Sequence, residues 1–185
     1  SLYAAEFPER VRALILVAPA YMLVMPPEEG DLFSIIRDQL PENMKQEFTG
    51  FLKEYMDFSN LFSKSEAELA ALNVRFAKYY VEAARAKGFS LPEVEFTDSG
   101  GWMSYGMYMS MGRKHDYRAP VRSVTAPVLV MHGANDLQPE KASRQYAEVF
   151  PNAQFQVIAG AGHFAFHDRP EEFATVVGDF LKRIE

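Results

Sequence analysis

Two strand-and-loop signatures in the last third of this 185-residue chain constrain its fold more than anything else in it. The apolar run Val128-Leu129-Val130-Met131 ends in His132-Gly133-Ala134-Asn135-Asp136, a tight glycine-containing loop that carries an acid. A second run, Gln154 to Ile158, ends in Gly160-Ala161-Gly162-His163-Phe164, a histidine framed by glycines. A carboxylate and an imidazole therefore fall at the carboxyl ends of two successive strands, which is where open α/β sheets place their chemistry. A third strand is predicted over 13–18, Ala-Leu-Ile-Leu-Val-Ala, whose continuous apolarity suits a parallel strand covered on both faces and paired on both edges. Three parallel strands cannot enclose such a strand, and an unpaired apolar edge invites aggregation. The polypeptide completing the sheet is thus expected outside these 185 residues, as another part of the same chain or as a companion chain.

The segment between the first strand and the acid strand reads as helical. Residues 2–7 end a helix that Pro8 helps to stop, and the first strand leads into Pro19. Asp31 is positioned to cap a short helix to Leu40, and Pro41 opens the next in the favoured first-turn position, with Met44, Phe48, Phe51, Leu52 and Tyr55 at helical spacing. Ser63-Lys64-Ser65-Glu66 has the Ser-x-x-Glu capping-box pattern, in which side chains satisfy free backbone donors. That helix should run through Leu69, Leu72, Phe76 and Tyr80 and stop near Gly88. Around Trp102 to Met111 the residues Met103, Met107 and Met111 share a helical face, interleaved with Trp102, Tyr105 and Tyr108. Such a stripe serves either to pack one layer on another or to wall an apolar or aromatic substrate pocket, where thioethers adapt and rings select. Trp102, Met103, Tyr105 and Met107 are the candidate substrate-binding residues on the second reading.

Three stretches together resemble the C-terminal part of the α/β-hydrolase superfamily. Tyr3-Ala4-Ala5-Glu6-Phe7-Pro8-Glu9-Arg10-Val11-Arg12-Ala13-Leu14-Ile15-Leu16-Val17-Ala18-Pro19 is similar to the helix after the nucleophile elbow running into the next strand. The other two are the Asp136 loop and the segment from Gly160 to Phe173, in which Arg169-Pro170-Glu171-Glu172-Phe173 resembles the start of the last helix. The order acid then histidine is the second half of the family's Ser, Asp/Glu, His order. The resemblance implies an α/β fold of the α/β-hydrolase kind: the C-terminal part of a mostly parallel sheet with an inserted helical lid. It divides the chain into hydrolase core over 1–20, helical lid over 21–117 and hydrolase core over 118–185. The G-x-S-x-G elbow of relatives lies about one or two helical turns before a pair like Tyr3-Ala4, so the nucleophile is expected upstream of Ser1. Ser1 itself lacks the flanking glycines that let a strained turn present a hydroxyl.

On this resemblance His163 is general base toward a serine hydroxyl and then general acid toward the leaving group, tasks that suit an imidazole. Asp136 accepts the other ring N–H, which fixes the tautomer and stabilises the imidazolium. Without the histidine, Asp136 after Asn135 would read as a turn-former. His132 resembles a family position that packs near the site. His115, in Arg113-Lys114-His115-Asp116, reads as a solvated exit from the lid, and His167 with Asp168 reads as a cap of the last helix. The implied activity is hydrolysis of an ester, amide or peptide bond in a small molecule or short peptide, with no cofactor. The long lid looks most like proline-iminopeptidase-related enzymes, which grip a free amine with lid carboxylates; Glu28, Glu29, Asp31, Glu47, Glu54 and other acids are available, and the sequence singles out none of them. Esterases and C–C bond hydrolases stay open. So do dehalogenase and epoxide-hydrolase relatives with an Asp nucleophile, and a ligand-binding protein of the same fold.

Composition narrows the partners. Hydrophobic residues make up 48% and charged residues 24%, the balance of a globular domain with a real core. A net charge of −6 with scattered basic residues argues against a phosphate-backbone partner. The chain has no cysteine, which removes thiolate chemistry and Cys-ligated metal and leans toward a cytoplasmic protein. No His-Glu-x-x-His or convergent acid pair suggests a metal site, and no apolar run approaches a membrane span.

Overall fold

Strand identity follows burial period. In the computed structural model, which describes residues 1–27, 31–61, 63–89, 110–112 and 114–184, the described strands are β1 (Leu14–Val17), β2 (Val24–Met25), β3 (His115–Asp116), β4 (Val128–Gly133) and β5 (Ala153–Ile158). β1, β4 and β5 form a parallel sheet in the order β1-β4-β5, with Leu14 opposite Val128 and Val128 opposite Ala153. β2 and β3 make a separate antiparallel pair, Met25 opposite His115. The described helices are α1 (Leu2–Glu6), α2 (Leu32–Gln39), α3 (Glu42–Tyr55), α4 (Phe58–Leu61), α5 (Glu66–Ala86), α6 (Arg118–Val121), α7 (Glu140–Val149), α8 (Ala165–Asp168) and α9 (Pro170–Lys182).

Two units can be described, Ser1–Asp31 with Gly112–Glu185, and Leu32–Met111. In the first, every residue of the central strand β4 is buried. Val128 and Val130 face one core with Ala4, Val121, Val124, Tyr146 and Val149, contributed by α1, α6, the turn that follows α6, and α7. Leu129 and Met131 face a second core with Ala165 from α8 and Phe180 from α9. The strand alternates between two apolar layers, so a one-residue slip would exchange every contact. Each such side chain contributes roughly 1.5–3 kcal/mol by leaving water. β1 lies at one end of the sheet, and its four residues are only partly buried. Among the described residues no strand pairs with its outer edge. An open groove of about 660 Å³ beside β1 is lined by Arg10, Leu14, Leu181 and Ile184 among others.

The second unit is helical, with Phe48, Phe51, Tyr55, Leu72 and Tyr79 buried. Its rings interlock: Phe48 and Phe51 lie 4.9 and 5.2 Å from Tyr79, and Tyr55 lies 5.1 Å from Phe76. The capping box of α5 is formed by Ser65 and Glu68, two residues later than the expected Ser63 and Glu66. Ser65 Oγ accepts the Glu68 N–H at 3.4 Å and Glu68 Oε2 accepts the Ser65 N–H at 2.8 Å. The same pattern occurs at both registers, and Ser63 Oγ instead donates to the Asn60 carbonyl at 2.7 Å, closing the turn that precedes the helix. Pro41 occupies the N-cap of α3 instead of its first turn. Gly88, just past α5, has φ +79°, the left-handed conformation that ends a helix at least cost in glycine. Trp102, Met103, Tyr105 and Met107 lie outside the described residues.

Candidate active site

Two loops at the carboxyl ends of β4 and β5 meet edge to edge. The Ala134 N–H donates to the Ile158 carbonyl at 3.0 Å and the Asn135 N–H to the Ala161 carbonyl at 2.7 Å, so the parallel ladder continues past both strands. Their approach requires glycine at 133: a Cβ there would overlap the carbonyl oxygens of Ala161 and Gly162. Gly160 has φ +69°, and a Cβ on it would press on the Arg169 guanidinium at 2.6 Å.

The zipped loops bring Asp136 and His163 into contact. His163 Nδ1 donates to Asp136 Oδ2 at 2.9 Å. The Asp136 side chain is 0% exposed whereas the His163 side chain is 33% exposed, so the carboxylate is shut away from water and the ring remains accessible. An acceptor-only carboxylate holds the ring proton on Nδ1, leaving Nε2 with a lone pair. Burial disfavours the imidazolium, but the hydrogen bond that His163 donates to Asp136 and the negative charge of that carboxylate outweigh burial and hold His163 above the ordinary histidine value. A base oriented by a buried acid can take a proton from a hydroxyl placed at Nε2 and return it to a leaving group.

Two residues support the pair, Gln138 and Asp168, and neither was assigned that role from the sequence. Asp136 Oδ1 accepts the Gln138 backbone N–H at 2.8 Å, so each carboxylate oxygen has its own donor. Gln138 is itself 5% exposed, and its Nε2 donates to the carbonyls of Ala18 at 2.9 Å and Pro19 at 2.7 Å, just beyond β1. Ala18 has φ +45°, a left-handed conformation that costs an alanine about 1–2 kcal/mol. Tyr146 OH secures the next carbonyl, Ala20, at 2.9 Å. Beneath the histidine loop, Asp168 Oδ2 accepts the Gly162 N–H at 2.7 Å. The expected role of Asp168 as a cap of the last helix is therefore corrected. α9 starts at Pro170 with no side-chain cap, and the Asp168 carboxylate is spent on the loop that carries His163.

The other histidines are placed as well. His132 is 2% exposed and its Nδ1 lies 2.9 Å from Ser143 Oγ, itself 0% exposed. Burial pulls its pKa down despite the charges of Asp136 and Glu140. His115, expected to be solvated, lies partly buried in β3, where its Nε2 is 3.0 Å from the Met22 carbonyl. Of the carboxylates considered for gripping an amine, Glu47 accepts from Tyr79 OH at 2.7 Å and Glu54 pairs with Arg75 at 2.8 Å. Burial and the Glu47 bond push the Tyr79 phenol up to about 12. Glu28 and Glu29 lie outside the described residues. Among the described residues no cluster of His, Asp and Glu is spaced to hold a metal ion, and no helix is long and apolar enough to cross a membrane.

Comparison with known proteins adds an independent line. A pimeloyl-[acyl-carrier protein] methyl ester esterase of Serratia marcescens is 27% identical over 180 residues, 94% of this chain and 62% of the relative. A proline iminopeptidase of Heyndrickxia coagulans is 28% identical over 72 residues, 39% of this chain and 25% of the relative. The crystal structure of VinJ superposes with a TM-score of 0.59 at 15% identity, covering all of this chain and 62% of that one, which is a likeness of fold. The chain thus spans about three fifths of the relative that it matches over nearly its whole length. The family profile described as alpha/beta hydrolase fold matches residues 1–170, and with the parallel sheet and its acid and histidine loops this chain belongs to the α/β-hydrolase family.

Proposed function

We propose that this chain is the acid-and-histidine portion of a serine hydrolase that cleaves a carboxylic ester. The observation that carries the reading is the 2.9 Å bond from His163 Nδ1 to a carboxylate with no exposed side-chain surface, Asp136. A serine hydroxyl supplied by hydrolase sequence outside this chain attacks the ester carbonyl while His163 Nε2 takes its proton. The imidazolium, held by Asp136, then gives that proton to the departing alcohol, leaving an acyl-enzyme. Water repeats the cycle, with His163 again as base, and releases the acid. Backbone N–H groups hold the oxyanion. The outer edge of β1 and the groove beside it, whose lining omits Asp136 and His163, are the surface on which the completing polypeptide would pair. In this reading residues 21–117 are the inserted helical lid.

Similarity to an esterase along 94% of the chain favours ester cleavage. A second reading, removal of an N-terminal residue from a short peptide, draws on similarity to a proline iminopeptidase along 39% of it. Glu47 and Glu54, two of the carboxylates suited to grip an amine, already have partners, which weakens that reading.

The test is intact-mass analysis of the whole protein after a fluorophosphonate probe, followed by turnover of p-nitrophenyl esters and a prolyl arylamide. Labelling with preferential ester turnover, both lost in His163→Ala, is expected; the loss should be about 10⁴-fold or more. Labelling unchanged in His163→Ala, or no labelling at all, removes the serine mechanism and leaves an Asp nucleophile or a binding role.

A further inference from the structure

We infer that Gln138 is a positioning residue which couples the segment leaving β1 to the Asp136–His163 pair, setting the carboxylate's orientation and through it the basicity of the imidazole. The inference rests on the proposed role of that pair and names a residue that acts on it without touching substrate. Three of its hydrogen bonds carry the argument. The backbone N–H holds Asp136 Oδ1 at 2.8 Å, and the two N–H groups of the side-chain amide hold the carbonyls of Ala18 and Pro19 at 2.9 and 2.7 Å. Those carbonyls are about 120 positions away in sequence, on consecutive residues, and one belongs to the alanine at φ +45°. Only a primary amide supplies two donors at that reach from an uncharged side chain; Glu or Met at 138 would face the same two carbonyls with no donor of this kind.

The chain is short between the anchor and the acid. One residue, the buried Leu137, separates Gln138 from Asp136. A shift of the Gln138 backbone therefore moves its N–H off Oδ1 and turns the carboxylate about its own bond, carrying Oδ2 away from His163 Nδ1. Displacements of this kind, far below the size of a side chain, are large on the scale of catalytic alignment. Two further groups lie near the pair: His132, which feels the charges of Asp136 and His163, and Asp168, which holds the Gly162 N–H. Neither is a hydrogen-bond partner of Gln138, so its effect is separable from theirs.

The experiment uses the whole protein and compares Gln138→Met, which keeps length and volume, with Tyr146→Phe, which releases the neighbouring Ala20 carbonyl without touching the acid loop. The readouts are the titration of the His163 ring followed by NMR, the pH profile of ester turnover, and thermal stability. Gln138→Met is expected to lower the His163 midpoint toward the ordinary histidine value and to reduce kcat about 10- to 100-fold, with KM within about twofold. Tyr146→Phe is expected to lower stability alone. A stability loss in Gln138→Met with the His163 midpoint and pH profile unchanged overturns the inference. If that variant does not fold, the wild type decides: the Gln138 backbone amide resonance should titrate with the His163 midpoint, and an amide indifferent to it overturns the inference. A failed serine mechanism would instead appear as turnover surviving His163→Ala, whatever Gln138 does.

Discussion

Asp168 Oδ2 accepts the backbone N–H of Gly162 at 2.7 Å, and the next residue is the histidine paired with Asp136. The Asp168 side chain is 7% exposed, so water cannot replace the bond easily. Asp168→Ala leaves a part-buried donor unpaired, which costs about 1–3 kcal/mol. The expected result is a lower unfolding midpoint in denaturant together with a broadened His163 ring resonance. Asp168→Asn keeps an acceptor oxygen and should recover most of both.

Under the proposed mechanism, His163 should make stability and activity respond to pH in opposite directions. Its folded value lies above the unfolded value of 6.5, so the protonated pair stabilises the fold fully below about 6.5 and that contribution fades as pH rises through the folded value. As the proposed general base His163 must be neutral, so turnover should rise over the same interval. Asp136→Asn removes the acceptor and the charge; the NMR midpoint of His163 should fall below the wild-type one and kcat should drop by about 10³–10⁴-fold. A midpoint that stayed in place would contradict the assigned contact.

The contact between β4 and the histidine loop can be tested at Gly133. A methyl group there collides with backbone carbonyls of Ala161 and Gly162, which cannot swing away as a side chain would. Gly133→Ala should cost roughly 1–3 kcal/mol, the usual penalty of overpacking, measured by thermal unfolding. Because the collision separates the acid loop from the histidine loop, turnover should fall more than the stability loss alone explains at temperatures where the variant is folded.

Buried His132 titrates with the opposite sign to His163. Burial holds its folded value below 6.5, so the stability gained by keeping it neutral is present above about 6.5 and is lost as pH falls through the folded value. His132→Gln should flatten the acid limb of a stability-against-pH curve. Ser143→Ala strands the ring nitrogen 2.9 Å away and should cost about 1–3 kcal/mol in chemical denaturation near pH 7.

What the amino-acid sequence alone determined is what short-range physics encodes. The unbroken apolar run Val128 to Met131 specifies a strand, whose two faces the structure packs into two cores, and the helical spacing of Phe48, Phe51 and Tyr55 specifies the buried face of α3. Turn glycines such as Gly88 mark element ends because so few residues adopt φ near +79° without strain. Asp136 and His163 could be singled out together, because each lies in a glycine-containing loop that follows an apolar run. Even the displaced capping box, Ser65 for Ser63, was an error of register within a correct pattern.

The tertiary structure decided which polar groups meet. Asp136 and His163 are 27 positions apart, and Gln138 reaches carbonyls about 120 positions away. Nothing in the residue type at 138 or 168 distinguishes a turn polar group from a clamp on the site, since Gln and Asp occur on any loop. That distinction arises only when two strands place their ends side by side and bury the groups between them, where each hydrogen bond must be satisfied by whatever the fold has brought within 3 Å.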